Sequence, residues 1–227
     1  MIDVALVTWP NHPARFEYFK KCLAALHEKL NATRHQLRFF CSAESERDPT
    51  RPWLGDELED LCRELEIALA WRNEKANLGG NMNSALSLCS APTILLQQDD
   101  WMLGYPLDLS PGADFLVANR DVDILRYSWP DNDRMRPTFA ASPDGWRRID
   151  MRGKWPYGDD PHLRRPDFME KWGWYYDLGG HGTASATLMR KLRMGNADIR
   201  VADRCYYAHG GPVTSVINDV RERRAKR

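Results

Sequence analysis

The feature that most constrains this 227-residue chain is a regular alternation, over its first hundred residues, of short apolar runs and helical stripes. Residues 4–9 (VALVTW) are a β-branched, apolar run of the kind that forms a buried strand. In residues 15–30, Phe16, Phe19, Leu23, Leu26 and Leu30 share one helical face, and Glu17, Lys21, Glu28 and Lys29 lie opposite. Residues 37–41 (LRFFC), 67–71 (IALAW) and 93–97 (TILLQ) read as three further strands. Between them, residues 54–65 carry the stripe Leu54, Leu58, Leu61, Leu65, and residues 83–89 form a helix opened by Gly79 and Gly80. Strands separated by helices pair in parallel, with right-handed crossovers and helices on both faces. The expected class is α/β, with a Rossmann-like, mostly parallel sheet flanked by helices.

The pattern changes after residue 101. Eight of the fourteen prolines fall between Pro106 and Pro166, and six of the nine tryptophans between Trp101 and Trp174. Residues 122–129 read as a strand, 135–165 as loop-rich, 167–174 and 183–192 as helices, and 200–208 as a last strand. The sequence therefore predicts one domain over 1–227, with a ligand-binding half at 1–101 and a loop-rich half at 102–227.

Composition removes several classes. Hydrophobic residues make up 43% and charged residues 28%, and 32 acids cancel 32 bases. That excludes disorder as the main state, and a surface basic enough throughout to coat nucleic acid or membrane. The five cysteines are odd in number and form no C-x-x-C pair, which favours a reducing cytoplasm over a disulfide framework or structural zinc. No apolar run reaches the roughly 18 residues of a transmembrane helix, and the N-terminus lacks the basic region of a signal peptide. The first strand is followed by Thr8-Trp9-Pro10-Asn11 in place of G-x-G-x-x-G, and P-loop and G-x-S-x-G patterns are missing.

Asp99 and Asp100 close the fourth strand, where open α/β sheets bind ligands. Adjacent strand residues point to opposite sides, so one acid can hold magnesium or manganese and the other a sugar or ribose hydroxyl. The plain alternative is a solvated turn. Trp101, next to the pair, is the tryptophan expected to touch ligand. The others are expected to pack the loop-rich half.

The run Asn77-Leu78-Gly79-Gly80-Asn81-Met82-Asn83-Ser84-Ala85, followed by TILLQQDDW, resembles the core of GT-A-fold glycosyltransferases similar to family 2. Gln98 stands where that family usually carries the first acid of its D-x-D motif. The resemblance implies a nucleoside diphosphate sugar such as a UDP-sugar as donor, Mn2+ or Mg2+ as cofactor, and a hydroxyl-bearing acceptor of unknown class. It places Thr8 and Trp9 against base and ribose, Ser42 or Glu44 near the base edge, and Asn77 and Asn83 along the nucleotide floor. Asp99 would face the ribose or donor sugar, and Asp100 the metal. His209, in Tyr206-Tyr207-Ala208-His209-Gly210-Gly211, would be a second metal ligand. Gly180 and His181, in the glycine-rich run 179–182, would line the sugar pocket.

The acidic pair that often follows such a glycine run is missing, so the expected base comes from Asp160, Asp159 or Asp177. The five basic residues of the tail 221–227 are a possible contact for an anionic acceptor or surface. Two other readings stay open. One is a nucleotidyltransferase that makes a nucleotide sugar, although residues 8–13 lack its glycine-rich basic loop. The other is a non-catalytic sugar- or nucleic-acid-binding module.

Overall fold

The structure, a computed structural model, describes residues 1–10, 13–44, 53–72, 78–128, 139–140, 146–153, 156–158, 160–176 and 181–210. In chain order the elements of the first hundred residues are β1 (Ile2–Thr8), α1 (Pro13–Lys29), β2 (Leu30–Asn31), β3 (Leu37–Glu44), α2 (Trp53–Glu64), β4 (Ala68–Arg72), α3 (Leu78–Ser87) and β5 (Thr93–Gln98). Then come β6 (Trp101–Leu103), β7 (Leu107–Asp108), α4 (Ser110–Ala118), β8 (Val122–Arg126), β9 (Phe139–Ala140), β10 (Arg147–Ile149) and β11 (His162–Arg164). The last elements are α5 (Phe168–Trp172), α6 (His181–Met194), β12 (Asp198–Val201) and β13 (Tyr207–His209).

Among the described residues, nine strands form the main sheet in the order β4-β3-β1-β5-β11-β8-β12-β10-β9. The four strands expected from the first hundred residues are all parallel, with Val4 level with Phe39 on one side and Leu95 on the other. β1 is buried along its whole length. Its residues alternate between two cores: Ile2, Val4 and Leu6 pack with α1 and α2, while Ala5 and Val7 pack with α3 and α6. A strand covered on both faces has no solvent side, which is why it reads as a continuous apolar run.

Sequential order reverses between β1 and β5. From β1 the chain moves outward to β3 and β4, then returns to the other side of β1 with β5. Such a reversal leaves a crevice at the carboxyl ends of the two strands.

The second half departs from a parallel sheet. β11 lies antiparallel between β5 and β8, inside the stretch that reads as loop-rich. Its three residues, His162, Leu163 and Arg164, are all buried, but two are polar and no apolar run marks them. The expected strand over 200–208 is two strands. β12 joins the main sheet beside β8, and β13 turns away to pair with β6. α3 starts at Leu78, five residues earlier than expected, so Gly79 and Gly80 belong to its first turn. A Cβ at Gly80 would collide with the Arg72 guanidinium, so the glycine lets α3 approach the end of β4.

Candidate active site

The crevice between the ends of β1 and β5 is a shallow, open pocket lined by Val7, Thr8, Trp9, Arg15, Glu44, Leu78, Asn81, Gln98 and Asp99. The Asp99 N–H donates to the Val7 carbonyl at 3.0 Å, continuing the β1–β5 ladder one residue past the strand. The Asp99 side chain is 1% exposed and its carboxylate is fully engaged. Oδ2 accepts from Thr8 Oγ1 at 2.9 Å, the Trp9 N–H at 3.1 Å and Arg15 Nε at 2.9 Å. Oδ1 accepts from Arg15 Nη2 at 2.6 Å. Asp99 lines the pocket, and its oxygens tie the ends of β1, β5 and α1 together.

Asp100 has different surroundings. Its carbonyl accepts from the Gly210 N–H at 2.7 Å, and its Oδ2 lies 3.2 Å from His209 Nε2. Its Oδ1 is buried and has no hydrogen-bond partner among the described residues. The antiparallel β6–β13 pairing sets His209 opposite Trp101 and so brings its ring to Asp100 across 109 residues of chain. The hydrogen bond to Asp100 raises the His209 pKa above its ordinary value, assisted by the charges of Asp100 and Asp99 and opposed by burial and Arg15. The structure thus joins the two residues expected to hold a metal. Trp101 packs in the core on the α1 side, 7% exposed, with its ring edge-on to His209 at 5.0 Å.

Among the expected base and floor residues, Glu44 lines the pocket and Ser42 lies beneath it. Ser42 Oγ donates to Asn81 Oδ1 at 2.5 Å, and Asn81 Nδ2 donates to the Thr8 carbonyl at 2.9 Å. Asn81 therefore stitches β1, β3 and α3 together at the pocket, a role the sequence reading did not give it. The Asn83 amide bonds the Tyr175 backbone, accepting from N–H and donating to C=O, each at 3.0 Å. Asn77 and Gly180 lie outside the described residues. His181 opens α6, and its side chain lies outside them as well.

Of the acids expected to act as base, Asp159 and Asp177 lie outside the described residues. Asp160 is buried and forms an ion pair with Arg126, itself 1% exposed. Its carbonyl accepts from His162 Nδ1 at 2.7 Å. The Asp160 carboxylate is thus held against β8 by Arg126.

Arg15 was also missed, yet it leaves a sequence signal. It falls on the stripe Arg15, Phe19, Cys22, Leu26, all buried in α1. A cation on an apolar stripe needs a buried anion, and Asp99 supplies it.

No family model matches the chain, and no curated protein does. Solved structures do. S. aureus TarS residues 1–349 in complex with UDP-GlcNAc is 15% identical with a TM-score of 0.65, over 95% of this chain and 61% of that one. The mannosyltransferase PcManGT from Pyrobaculum calidifontis, in complex with GDP-Man and Mn2+, is 15% identical with a TM-score of 0.59, over 90% and 58%. This chain spans about three-fifths of the length of each. The likeness is one of fold: the chain has the GT-A glycosyltransferase fold that its sequence resembles.

Proposed function

We propose that the protein transfers a sugar from a nucleoside diphosphate sugar to a hydroxyl-bearing acceptor. One observation carries the reading. The Asp100 carboxylate stands at the β1–β5 reversal with one buried oxygen unpartnered and an imidazole beside the other. An orphaned buried carboxylate oxygen is costly, and a cation relieves that cost.

The residues present fit a divalent ion of the manganese or magnesium kind. Asp100 and His209 would hold it, and carboxylate with imidazole suits manganese. Among the described residues no cluster of three potential ligands exists, which suits a cation whose shell is completed by substrate phosphates. When bound, the ion would supply positive charge against the leaving diphosphate.

The chain's own residues supply the rest. Thr8, Trp9 and Glu44 line the pocket that would take base and ribose. Asn81 fixes the floor by bonding β1 and β3 at once. Asp160, Asp159 and Asp177 remain the proposed sources of an acceptor-side base, a group that typically contributes 10²- to 10⁴-fold to such a step. A reducing compartment such as the cytoplasm belongs to the same reading, which the five free thiols support. Among the described residues no helix is long and apolar enough to cross a membrane.

Titration calorimetry of UDP and GDP, with Mn2+ and with EDTA, tests the proposal. One nucleotide should bind with Mn2+ and bind much more weakly in EDTA. Binding of neither nucleotide under either condition overturns the function, and equal binding in both conditions overturns the metal.

A further inference from the structure

The two adjacent acids meet opposite fates, and one residue separates them. Asp99 receives four hydrogen bonds from three residues, and only Arg15 among those donors carries charge. The pair is enclosed, with side-chain exposures of 9% for Arg15 and 1% for Asp99. The guanidinium engages both carboxylate oxygens, the geometry in which arginine binds a carboxylate most firmly. Phe19, Cys22 and Leu26 bury the same helical stripe and keep Arg15 from drifting. Asp100, by contrast, has only the His209 imidazole on one oxygen and no partner on the other.

We propose that Arg15 is a positioning residue that divides the work of the acidic pair: by neutralising Asp99 inside the protein, it leaves Asp100 as the single carboxylate open to a cation. The inference rests on the metal-assisted reading above and extends it. Two uncompensated carboxylates would capture a divalent ion firmly without substrate. One carboxylate holds it weakly until a diphosphate adds its own negative charge. Arg15 thereby makes cation binding depend on the nucleotide.

The experiment measures the Kd of Mn2+ alone, then of Mn2+ with UDP or GDP, for the full chain and its variants. Arg15→Gln releases the Asp99 charge, so Mn2+ alone should bind about tenfold tighter, and the gain from added nucleotide should shrink. Arg15→Lys keeps the charge and should stay within about twofold of the unaltered protein. Asp99→Asn leaves the Arg15 charge uncompensated and should weaken Mn2+ alone about tenfold. Combining Arg15→Gln with Asp99→Asn should return the affinity to its starting level.

A merely structural clamp would predict otherwise, because every variant would then lose Mn2+ affinity together with thermal stability. That pattern, or an Arg15→Gln affinity equal to the unaltered protein's, overturns the inference. Should Arg15→Gln fail to fold, Asp99→Asn and the double variant decide by themselves, through the loss in the first and its recovery in the second. An unaltered protein that binds no Mn2+ even with nucleotide overturns the metal reading. Nucleotide-dependent Mn2+ binding in the unaltered protein without the opposite shifts overturns only the role of Arg15.

Discussion

The two halves of the sheet are buried equally well and by different means. β1 and β5 are lined on both faces mostly by aliphatic side chains; apart from Asp3, which is buried and paired with Arg38, and Thr93, which opens β5, their polar residues lie at the carboxyl ends. β8 and β11 carry polar groups inside the sheet itself: the charged Arg126 and Arg164 and the imidazole of His162 are each no more than 1% exposed. The first arrangement is non-directional and tolerates small errors. The second depends on particular partners, because an unmatched buried charge costs several kcal/mol. A framework built on aliphatic burial can thus be specified largely by pattern, whereas one that buries arginines needs specific pairs to hold the main chain in place.

The sharpest way to break this contrast is to remove one partner from each half. Asp160→Ala should cost about 3–5 kcal/mol, since it strands the Arg126 charge, and an apolar replacement of both residues should recover most of it. Leu95→Ala should cost about 2–5 kcal/mol, with no compensating partner change available. Urea unfolding measures both. A cost below about 1 kcal/mol for Asp160→Ala would mean that charge pairing does not hold the acceptor side.

The next largest effect is on ligand and separates the halves by function. Asp100→Ala should weaken nucleotide binding in Mn2+ about 100-fold, close to 2.7 kcal/mol, with little change in unfolding. Asp160→Asn, which keeps the shape, should leave that binding intact. Calorimetry on the two variants gives the comparison, and equal losses would show that both acids serve the same site.

Two asparagines on α3 sharpen the boundary between halves. Asn81→Ala unseats Ser42 and the Thr8 carbonyl and should cost about 1–3 kcal/mol, together with nucleotide affinity. Asn83→Ala releases only the Tyr175 backbone and should cost about 1 kcal/mol without loss of nucleotide. If Asn83→Ala loses the nucleotide and Asn81→Ala keeps it, the pocket floor has been assigned to the wrong residue.

The smallest effect is a pH dependence that comes from β11. Burial, helped by Arg164 and Arg126, holds the His162 pKa well below its ordinary value near 6.5. Above that value both folded and unfolded chains carry a neutral ring, so the contribution is fully present. As pH falls below it, the unfolded chain takes up a proton that the folded chain refuses, and stability drops by roughly 1 kcal/mol between pH 6.5 and 5.5. His162→Gln should flatten that slope in thermal unfolding scans. An unchanged slope would place the acid sensitivity elsewhere.

Much of the donor half was legible in the sequence. The apolar runs ending at Thr8 and Gln98, the stripe of α1 and the acids after β5 are local signals. A strand buried on both faces needs an apolar residue at nearly every position, and a helix packed on one side needs one every three or four. The sequence also marked Asp100 and His209 as partners through family resemblance, and the β6–β13 pairing brings them together. It assigned Asp99 and Asp100 different tasks but could not show the ion pair that engages Asp99, because that partner is Arg15, 84 positions away. Nor could it find β11, two of whose three buried residues are polar: His162 bonds the Asp160 carbonyl and Arg164 the Tyr175 hydroxyl. Apolar burial is a property each residue carries with it, so periodicity reveals it. Polar burial becomes affordable only when a partner from elsewhere in the chain arrives, and that arrival is decided by the tertiary structure.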